Sequence, residues 1–421
     1  MDVVKTFGRA VEYLADTRPG AARGLMRIGW QAMGAKFHYL PVKQLGQADR
    51  FLADMMMRNM LLPLRKPDRS AIVSIFVPCE LLQEAGLNPY NVEAYSCYTA
   101  ASEAGLGCIQ AAEQAGAPET LCSFHRTFLG AAYRGILPAP RCIVYTSLLC
   151  DANLLTFREL ARHYDVPSFA IDVPRSQTPA SIEHVAGQLR DLKVFLEDVT
   201  GNSIDGDALR ERTKRASRQL EALDTYMRLR ADRFIPTDVV SPFYRTMTNN
   251  VLLGTEDVSR LMELQIDDAI AAPPKRGTHL YWMHAIPYYS DALEPLILHD
   301  DAQIVGCDLA QSVAPPTSTD DPYMAMAERL VFNIMNGNSS RRIDAGIANA
   351  RACGADGVVW FNHWGCKHTM GISQMAKRRF EEAGLPFLLL DGDGCDHAHG
   401  GEGQMSTRLE AFLEMLEGRR A

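Results

Sequence analysis

The sequence predicts an α/β fold with two Rossmann-like parallel-sheet domains, an N-terminal helical segment and a helical middle section. From residue 71 onward, short apolar strands alternate with amphipathic helices, which is the pattern of parallel βαβ units. The alternation stops in a long charged helical stretch and resumes after residue 276. The chain has 421 residues, more than a single hydrophobic core usually supports. These observations predict more than one domain.

The first half of the chain divides into a helical segment and a first α/β domain. Residues 1–70 are expected to be helical, because apolar residues recur there at three- and four-residue spacing. Residues 71–180 are expected to form the first α/β domain. Its predicted strands are AIVSIFVP, RCIVYTS and PSFAIDV.

The second half divides in the same way. Residues 181–275 are expected to form a helical connecting section, and the linker-like sequence APPKRG follows at its end. Residues 276–421 are expected to form the second α/β domain. Its predicted strands are THLYWMH, AQIVGCDL, DGVVWFNH and PFLLLDGD.

Composition excludes several classes of protein. A net charge of −8 argues against nucleic-acid binding, which needs a basic surface. No apolar run approaches the roughly 20 residues of a membrane span, and the N-terminus lacks the apolar core of a secretory signal. We therefore expect a cytoplasmic protein that binds neither nucleic acid nor a membrane. In a reducing cytoplasm, the ten cysteines indicate metal or redox chemistry rather than disulfides.

The two predicted α/β domains repeat one arrangement of strand, short loop, cysteine and amphipathic helix. Cys150 follows Val144 by six residues, and Cys366 follows Trp360 by the same number. Cys79 ends a predicted strand in a shorter version of the pattern. Because ligands of open parallel sheets bind outside the carboxyl ends of the strands, these positions predict a site shared by the two domains.

A cysteine at the start of a helix is expected to favour the thiolate, which is the form that binds metals. Cys150 and Cys366 fit this pattern, and Cys122 follows another short apolar stretch. Soft thiolates that converge from distant positions suit an iron–sulfur cluster or zinc, although no CxxC motif is present. Core packing is the expected role of four other cysteines, namely Cys108, Cys142, Cys307 and Cys353.

The sequence around Cys395 is rich in glycine and precedes a predicted helix. Such a turn can present backbone N–H groups to a phosphate or to an anionic cluster. Histidines in the loops of the second domain are possible proton donors, although an exposed loop histidine usually has no such role. These histidines are His363, His368, His397 and His399.

Several segments resemble the 2-hydroxyacyl-CoA dehydratase and benzoyl-CoA reductase superfamily, and the resemblance covers roughly residues 70–421. The matching segments are LCSFHRTFLGAAYRGILPAP, CIVYTSLLCDAN, YDVPSFAIDVP, DPYMAMAERL, GVVWFNHWGCKHTMG and GLPFLLLDGDGCD. The resemblance implies two α/β domains holding a 4Fe–4S cluster between them on Cys122, Cys150 and Cys366. It also implies a separate ATP-dependent iron–sulfur activator protein, which delivers a low-potential electron to an acyl-CoA thioester.

The chain departs from the dehydratase pattern by three further cysteines, Cys79, Cys97 and Cys395. Six thiolates would satisfy an 8Fe–9S double-cubane cluster, so the chain looks most like the double-cubane branch of the superfamily. That branch consists of homodimeric reductases of small molecules, and we expect a homodimer here. The alternative is a 4Fe–4S 2-hydroxyacyl-CoA dehydratase subunit that uses a ketyl radical mechanism.

The loops at the strand ends are rich in hydrogen-bond donors for an anionic intermediate. We expect His125, Lys367 and His368 to be catalytic, with Arg126 and His284 in the same array. A scaffold or cluster-storage protein that has lost its substrate site remains an alternative, and so does a zinc site.

Overall fold

The computed structural model describes residues 3–40, 42–287, 293–297, 302–318 and 320–419. It confirms the predicted fold class, with two four-stranded parallel sheets and many helices. One continuous hydrophobic cluster extends from Val11 in the first helix to Leu416 in the last, so the two sheets share a core. Within the described ranges, no helix is long and apolar enough to cross a membrane. The outermost ends of the predicted domains, at residues 1 and 421, lie outside the described residues.

The N-terminal segment is helical, as its apolar spacing indicates. The helices are α1 (Val3–Thr17), α2 (Pro19–Tyr39) and α3 (Gln47–Arg65). Asp49 in α3 is buried and forms an ion pair with the buried Arg245. The hydroxyl of Thr237 donates a second hydrogen bond to this carboxylate, at 2.9 Å. A buried ion pair thus attaches the N-terminal helices to the middle of the chain.

The first sheet has the strand order β2-β1-β3-β4. Its strands are β1 (Ser70–Val73), β2 (Asn88–Asn91), β3 (Cys142–Thr146) and β4 (Ser168–Ile171). The helices among them are α4 (Glu80–Glu84), α5 (Val92–Ala101), α6 (Leu106–Gln114), α7 (Ser123–Tyr133) and α8 (Asn153–Tyr164).

Two details of the first sheet differ from the sequence prediction. Strand β2 was not predicted, because its sequence NPYN contains asparagine and proline, which are rare in strands. These residues are tolerated because β2 lies at the edge of the sheet and pairs with β1 alone. Strand β1 ends at Val73, well before the end of the predicted segment. At this point the hydroxyl oxygen of Ser74 accepts a hydrogen bond from the backbone N–H of Thr146. A side chain of the strand end thus takes the place of a backbone carbonyl. The chain then leaves the sheet as a loop towards Cys79.

The middle section is helical, as predicted. Its helices are α9 (Pro179–Thr200), α10 (Gly206–Arg230), α11 (Ser241–Thr248) and α12 (Glu256–Ala271). Three of these helices begin at a side-chain cap, in which Thr178, Asp205 or Thr255 accepts a backbone N–H from the first turn. Such caps satisfy N–H groups that have no partner inside the helix, so they fix where each helix starts.

The second sheet has the order β6-β5-β7-β8. Its strands are β5 (Thr278–Met283), β6 (Ala302–Cys307), β7 (Gly357–His363) and β8 (Phe387–Gly392). The helices are α13 (Glu294–Ile297), α14 (Pro322–Val331), α15 (Ser339–Ala352), α16 (Lys367–Met370), α17 (Ser373–Glu382) and α18 (Glu402–Gly418). Both sheets therefore place their second strand at one edge and their first strand beside the third, which is the structural counterpart of the repeated sequence pattern.

Buried ion pairs connect the two halves of the chain. Glu80 in α4 pairs with Arg329 in α14, and both side chains are almost completely buried. Arg126 in α7 lies with its guanidinium 3.5 Å from the buried carboxylate of Asp396. An unpaired charge in the interior costs free energy, so each ion pair favours the packing that keeps its two residues together.

The pair between Asp49 and Arg245 predicts a measurable stability difference. The substitution Asp49→Asn keeps the shape of the side chain but removes the carboxylate that pairs directly with the buried Arg245, leaving the nearby Asp238 as a weaker partner, so we expect a loss of about 3 kcal/mol in the free energy of unfolding. The matched control is Asp54→Asn in the same helix, where Asp54 pairs with the half-exposed Arg58. We expect this control to cost less than about 1 kcal/mol in urea denaturation. Equal losses would contradict the role given to the buried pair.

Candidate functional site

The candidate site lies at the carboxyl ends of the central strands in both sheets. In each sheet the first strand lies beside the third, so the connections from these strands lead to opposite sides and leave a crevice between them. The chain leaving β3 reaches Cys150 before α8, and the chain leaving β7 reaches Cys366, the N-cap of α16. Cys122 is the N-cap of α7.

The structure brings Cys122, Cys150 and Cys366 into one neighbourhood. These three cysteines are partly exposed, whereas the other seven are buried. Burial raises the pKa of the Cys122 thiol well above its ordinary value, and the nearby Cys366 and Cys150 raise it further. Burial also raises the pKa of Cys150 to about 12, with Cys366 again contributing. The three thiols therefore interact electrostatically although two different domains supply them.

A glycine allows the two domains to approach each other at this point. Gly365 has a positive φ of 78°, a conformation that side chains disfavour. A Cβ atom at this position would lie 2.9 Å from the backbone nitrogen of Cys122 and 3.0 Å from its Cα. The turn before Cys366 thus packs directly on the backbone of Cys122, and this contact requires glycine.

His363, which the sequence suggests as one of four possible proton donors, lies beside Cys122. It is the last residue of β7 and is fully buried. Its Nδ1 accepts the N–H of Gly394 at 3.0 Å, so the neutral ring carries its proton on Nε2. Nε2 lies 3.2 Å from the sulfur of Cys122 and donates to it. Burial lowers the pKa of His363, which keeps the ring neutral.

His125 also contacts a cysteine thiol, but its Nε2 presents a lone pair to Cys150, whereas Nε2 of His363 presents an N–H group to Cys122. The hydroxyl of Thr156 donates to the carbonyl of Ala152, so it accepts the Nδ1–H of His125 at 2.8 Å. Nε2 of His125 therefore carries a lone pair, which faces the sulfur of Cys150 at 3.5 Å. Burial and the neighbouring His363 lower the pKa of His125 to about 3.

Cys97 and Cys395 form a second pair of thiols beside Cys122. Both are buried, and Cys97 lies close enough to Cys395 to affect the pKa of its thiol. Burial raises the pKa of Cys395 well above its ordinary value, and Cys97, Asp393 and Cys122 add to the shift. The carboxylate of Asp393 accepts the hydroxyl of Ser123 from the first domain, so this region also joins the two domains.

Cys79 has a different environment. It is the N-cap of α4, and its thiol donates to the carbonyl of Val77 at 3.2 Å. Burial raises its pKa well above the ordinary value; Glu80 raises it further and Arg329 lowers it. The structure therefore places this thiol beside the buried ion pair that links the two domains.

The remaining predicted catalytic residues, Lys367 and His368, are the first two residues of the short helix α16, directly after Cys366. Lys367 is exposed and His368 is partly buried. Burial lowers the pKa of His368 to about 4, and Arg342 lowers it further. Arg126, one turn after Cys122, is buried and occupied by ion pairs with Glu113 and Asp396. Its guanidinium therefore stabilises the protein around the site.

Glu93 is a site residue that the sequence analysis missed. It lies in the first turn of α5, just after strand β2, and it is near enough to Cys150 to raise the pKa of that thiol. Burial raises the pKa of Glu93 from 4.5 to about 7, despite a hydrogen bond from the amide of Asn91 at 2.7 Å. A carboxyl group that exchanges its proton near neutral pH suits acid–base chemistry. The sequence alone did not reveal Glu93, because its position depends on strand β2, which was not predicted.

The described side chains do not form a site for a single metal ion. Among the residues that the structure describes, no three His, Cys, Asp or Glu side chains are grouped closely enough to hold one ion. A cubane bonds its thiolates to different iron atoms, so its ligands stand farther apart than those of a single ion. Burial raises the pKa of Cys122 and Cys150, which opposes the thiolate form expected at the start of a helix.

Comparison with known proteins identifies related sequences. The sequence profile of the family described as 2-hydroxyglutaryl-CoA dehydratase, D-component, matches residues 74–416. The (R)-2-hydroxyisocaproyl-CoA dehydratase alpha subunit of Clostridioides difficile is 24% identical over 82% of this chain and 90% of its own length. The (R)-2-hydroxyglutaryl-CoA dehydratase subunit alpha of Acidaminococcus fermentans is 22% identical over 67% of this chain and 61% of its own length. The (R)-phenyllactyl-CoA dehydratase alpha subunit of Clostridium sporogenes is 21% identical over 80% of this chain and 87% of its own length.

The contact of Gly365 with Cys122 predicts a specific loss of bound iron. In Gly365→Ala the added methyl group meets the backbone of Cys122 and displaces Cys366, so we expect less than about half of the wild-type iron after anaerobic reconstitution. The matched control is Gly384→Ala. Gly384 has a similar φ of 79°, but a Cβ there would meet nothing within 4 Å. Iron loss in both variants, or in neither, would contradict the role assigned to this contact.

The raised pKa of Glu93 predicts a pH-dependent stability difference. The folded protein holds this proton more tightly than the unfolded chain, so the wild type loses stability as pH rises from 4.5 to about 7. Glu93→Gln cannot ionise and is expected to be more stable at pH 8 by on the order of 2 kcal/mol, a gap that closes towards pH 4.5. Urea denaturation of the metal-free protein tests this, with the exposed Glu183→Gln as control. A constant gap across pH would refute the assignment.

Proposed function

This chain belongs to the 2-hydroxyglutaryl-CoA dehydratase D-component family, and on that premise we propose that it is an iron–sulfur enzyme that removes water from a 2-hydroxyacyl-CoA thioester. The observation that carries the proposal is the meeting of Cys122, Cys150 and Cys366 at the crevice between the sheets. The dehydratase names of the relatives supply the substrate class.

In this proposal, Cys122, Cys150 and Cys366 hold a 4Fe–4S cluster. When bound, the cluster supplies single low-potential electrons, which it receives from an ATP-dependent iron–sulfur activator protein. The partly exposed thiols leave the crevice open to substrate. The Nε2–H of His363 donates to the sulfur of Cys122, and hydrogen bonds to cluster sulfurs tune the potential.

The chain itself moves the protons of the reaction. Loss of water from a 2-hydroxyacyl-CoA requires a proton for the leaving oxygen on carbon 2 and removal of a proton from carbon 3. Glu93, whose pKa burial raises to about 7, gives its proton to the leaving oxygen. The resulting carboxylate then takes the proton from carbon 3, which restores the acid and balances the reaction. His125, Lys367 and His368 remain predicted catalytic residues, with His125 presenting its Nε2 lone pair.

A second candidate function is a low-potential reductase that carries an 8Fe–9S double-cubane cluster. The proximity of the buried Cys97 and Cys395 to each other and of Cys395 to Cys122 favours it, because these two thiols could add to the three-cysteine group. Cys79 would be the sixth ligand. Such a homodimeric reductase would act on a small molecule and depend on the same kind of activator.

Iron content tests both candidates. For a single cubane we expect about four iron atoms per chain after anaerobic purification, and loss of most of that iron in serine variants of Cys122, Cys150 or Cys366. Cys97→Ser and Cys395→Ser should then retain it. The matched control is Cys108→Ser, a buried cysteine in α6. About eight iron atoms per chain, with loss in the Cys97 and Cys395 variants, would favour the double cubane instead.

Turnover tests the reaction. The reconstituted protein, an activator, ATP and a reductant are incubated with a panel of 2-hydroxyacyl-CoA thioesters, and we expect the corresponding 2-enoyl-CoA. Glu93→Gln should slow this turnover by about 100-fold or more with iron content unchanged. A cluster that is reduced by the activator but converts no thioester would contradict dehydration, and reduction of acetylene would then favour the reductase.

A further inference from the structure

His284 occupies a strained position at the same crevice. It follows the last residue of β5, the strand beside β7, so it lies at the carboxyl edge of the second sheet. Its φ of 80° is in the left-handed region that a residue with a Cβ disfavours. Strain of this kind persists only where surrounding contacts enforce it, and it is concentrated at functional sites.

Buried charges hold His284 in this conformation. Its backbone N–H donates to Oδ1 of Asp308 at 2.7 Å. The other carboxylate oxygen of Asp308 accepts from the guanidinium of Arg342 at 2.8 Å, and both of these side chains are buried. The guanidinium also lies over the ring of Trp360, at 5.1 Å from the ring centroid. Asp308 and Arg342 therefore fix the backbone from which the imidazole projects.

Arg342 also determines which nitrogen of His284 carries the proton. Its Nη2 lies 3.4 Å from Nδ1 of His284. A guanidinium has only donors, so Nδ1 must accept, and the neutral ring carries its hydrogen on Nε2. Burial lowers the pKa of His284 well below its ordinary value, and Arg342, His363 and His368 lower it further. The ring is thus a permanent neutral donor through Nε2.

The printed contacts of His284 use its other polar atoms. Its backbone N–H, its backbone oxygen and Nδ1 each have a hydrogen-bond partner, and among the described residues none is found for Nε2. The ring centroid lies 6.3 Å from that of His363, whose Nε2 contacts the sulfur of Cys122. His284 therefore lies one ring away from the cysteine group, on the side of the second domain.

We propose that His284 is a catalytic residue that binds the thioester carbonyl oxygen of the substrate through its Nε2–H; this rests on the proposed dehydration of an acyl thioester. A carbonyl oxygen only accepts hydrogen bonds, and it gains negative charge when the thioester is activated. A fixed donor that keeps its proton stabilises this charge without transferring a proton. Glu93 supplies the complementary function, because its carboxyl group exchanges a proton near neutral pH.

The test measures the carbonyl group directly and does not depend on turnover. Butyryl-CoA labelled with carbon-13 at the carbonyl lacks the 2-hydroxyl group and cannot be dehydrated. Isotope-edited infrared spectroscopy of this thioester bound to the reconstituted protein should show the carbonyl band shifted to lower wavenumber. His284→Gly, which suits the positive φ, and His284→Phe, which keeps a ring, both remove the donor and should abolish the shift. His284→Gln should restore part of it.

Iron content and the spectrum of the reduced cluster should be unchanged in these variants, and turnover of a 2-hydroxyacyl-CoA should fall about 100-fold. The exposed His184→Ala in α9 is the control and should behave as wild type. A wild-type shift that survives in both the Gly and Phe variants would overturn the role of His284. Absence of binding or shift in the wild type would instead overturn the proposed substrate class, so the two failures are distinguishable.

Discussion

The close approach of the two α/β domains at Gly365 is the contact on which the rest of the site depends. The turn before Cys366 lies on the backbone of Cys122 with no room for a Cβ. Gly394 makes a similar contact nearby, since a Cβ there would lie 2.6 Å from the ring of Phe124. These contacts hold the carboxyl edges of two separate sheets together, so that loops distant in sequence contribute to a single crevice. The ion pair of Glu80 with Arg329 strengthens the same arrangement beside Cys79.

Burial sets the protonation of the side chains at the site. It raises the pKa of Cys122 and Cys150, which favours neutral thiols, and it lowers the pKa of His125, His284 and His363, which favours neutral rings. Because iron binds thiolates, loading of the proposed cluster would release protons from the site. The two histidines of the second domain present N–H groups, whereas His125 presents a lone pair. The crevice therefore combines fixed donors on one wall with acceptors on the other, and Glu93 is the group there that titrates near pH 7.

Much of the architecture could be predicted from the sequence, because apolar periodicity and the repeated pattern around Cys150 and Cys366 are local signals. Strand β2 could not, since NPYN becomes a strand only by pairing with β1. Glu93 was missed for the same reason, and its raised pKa depends on burial that no local pattern encodes. His363 could be named as a possible proton donor, but its contact with a sulfur 241 positions away could not be predicted, because this contact depends on the tertiary fold. The protonated state of the thiols depends on tertiary burial, which outweighs the local effect of the helix start.

The central claim is that three distant cysteines form one iron–sulfur site between the domains. It is tested most directly by diffraction from anaerobically grown crystals at the iron absorption edge. The account predicts an anomalous peak in the crevice, with iron atoms at about 2.3 Å from the sulfurs of Cys122, Cys150 and Cys366. An iron-containing crystal in which these sulfurs bind no iron, or in which the anomalous peak lies elsewhere, would contradict it.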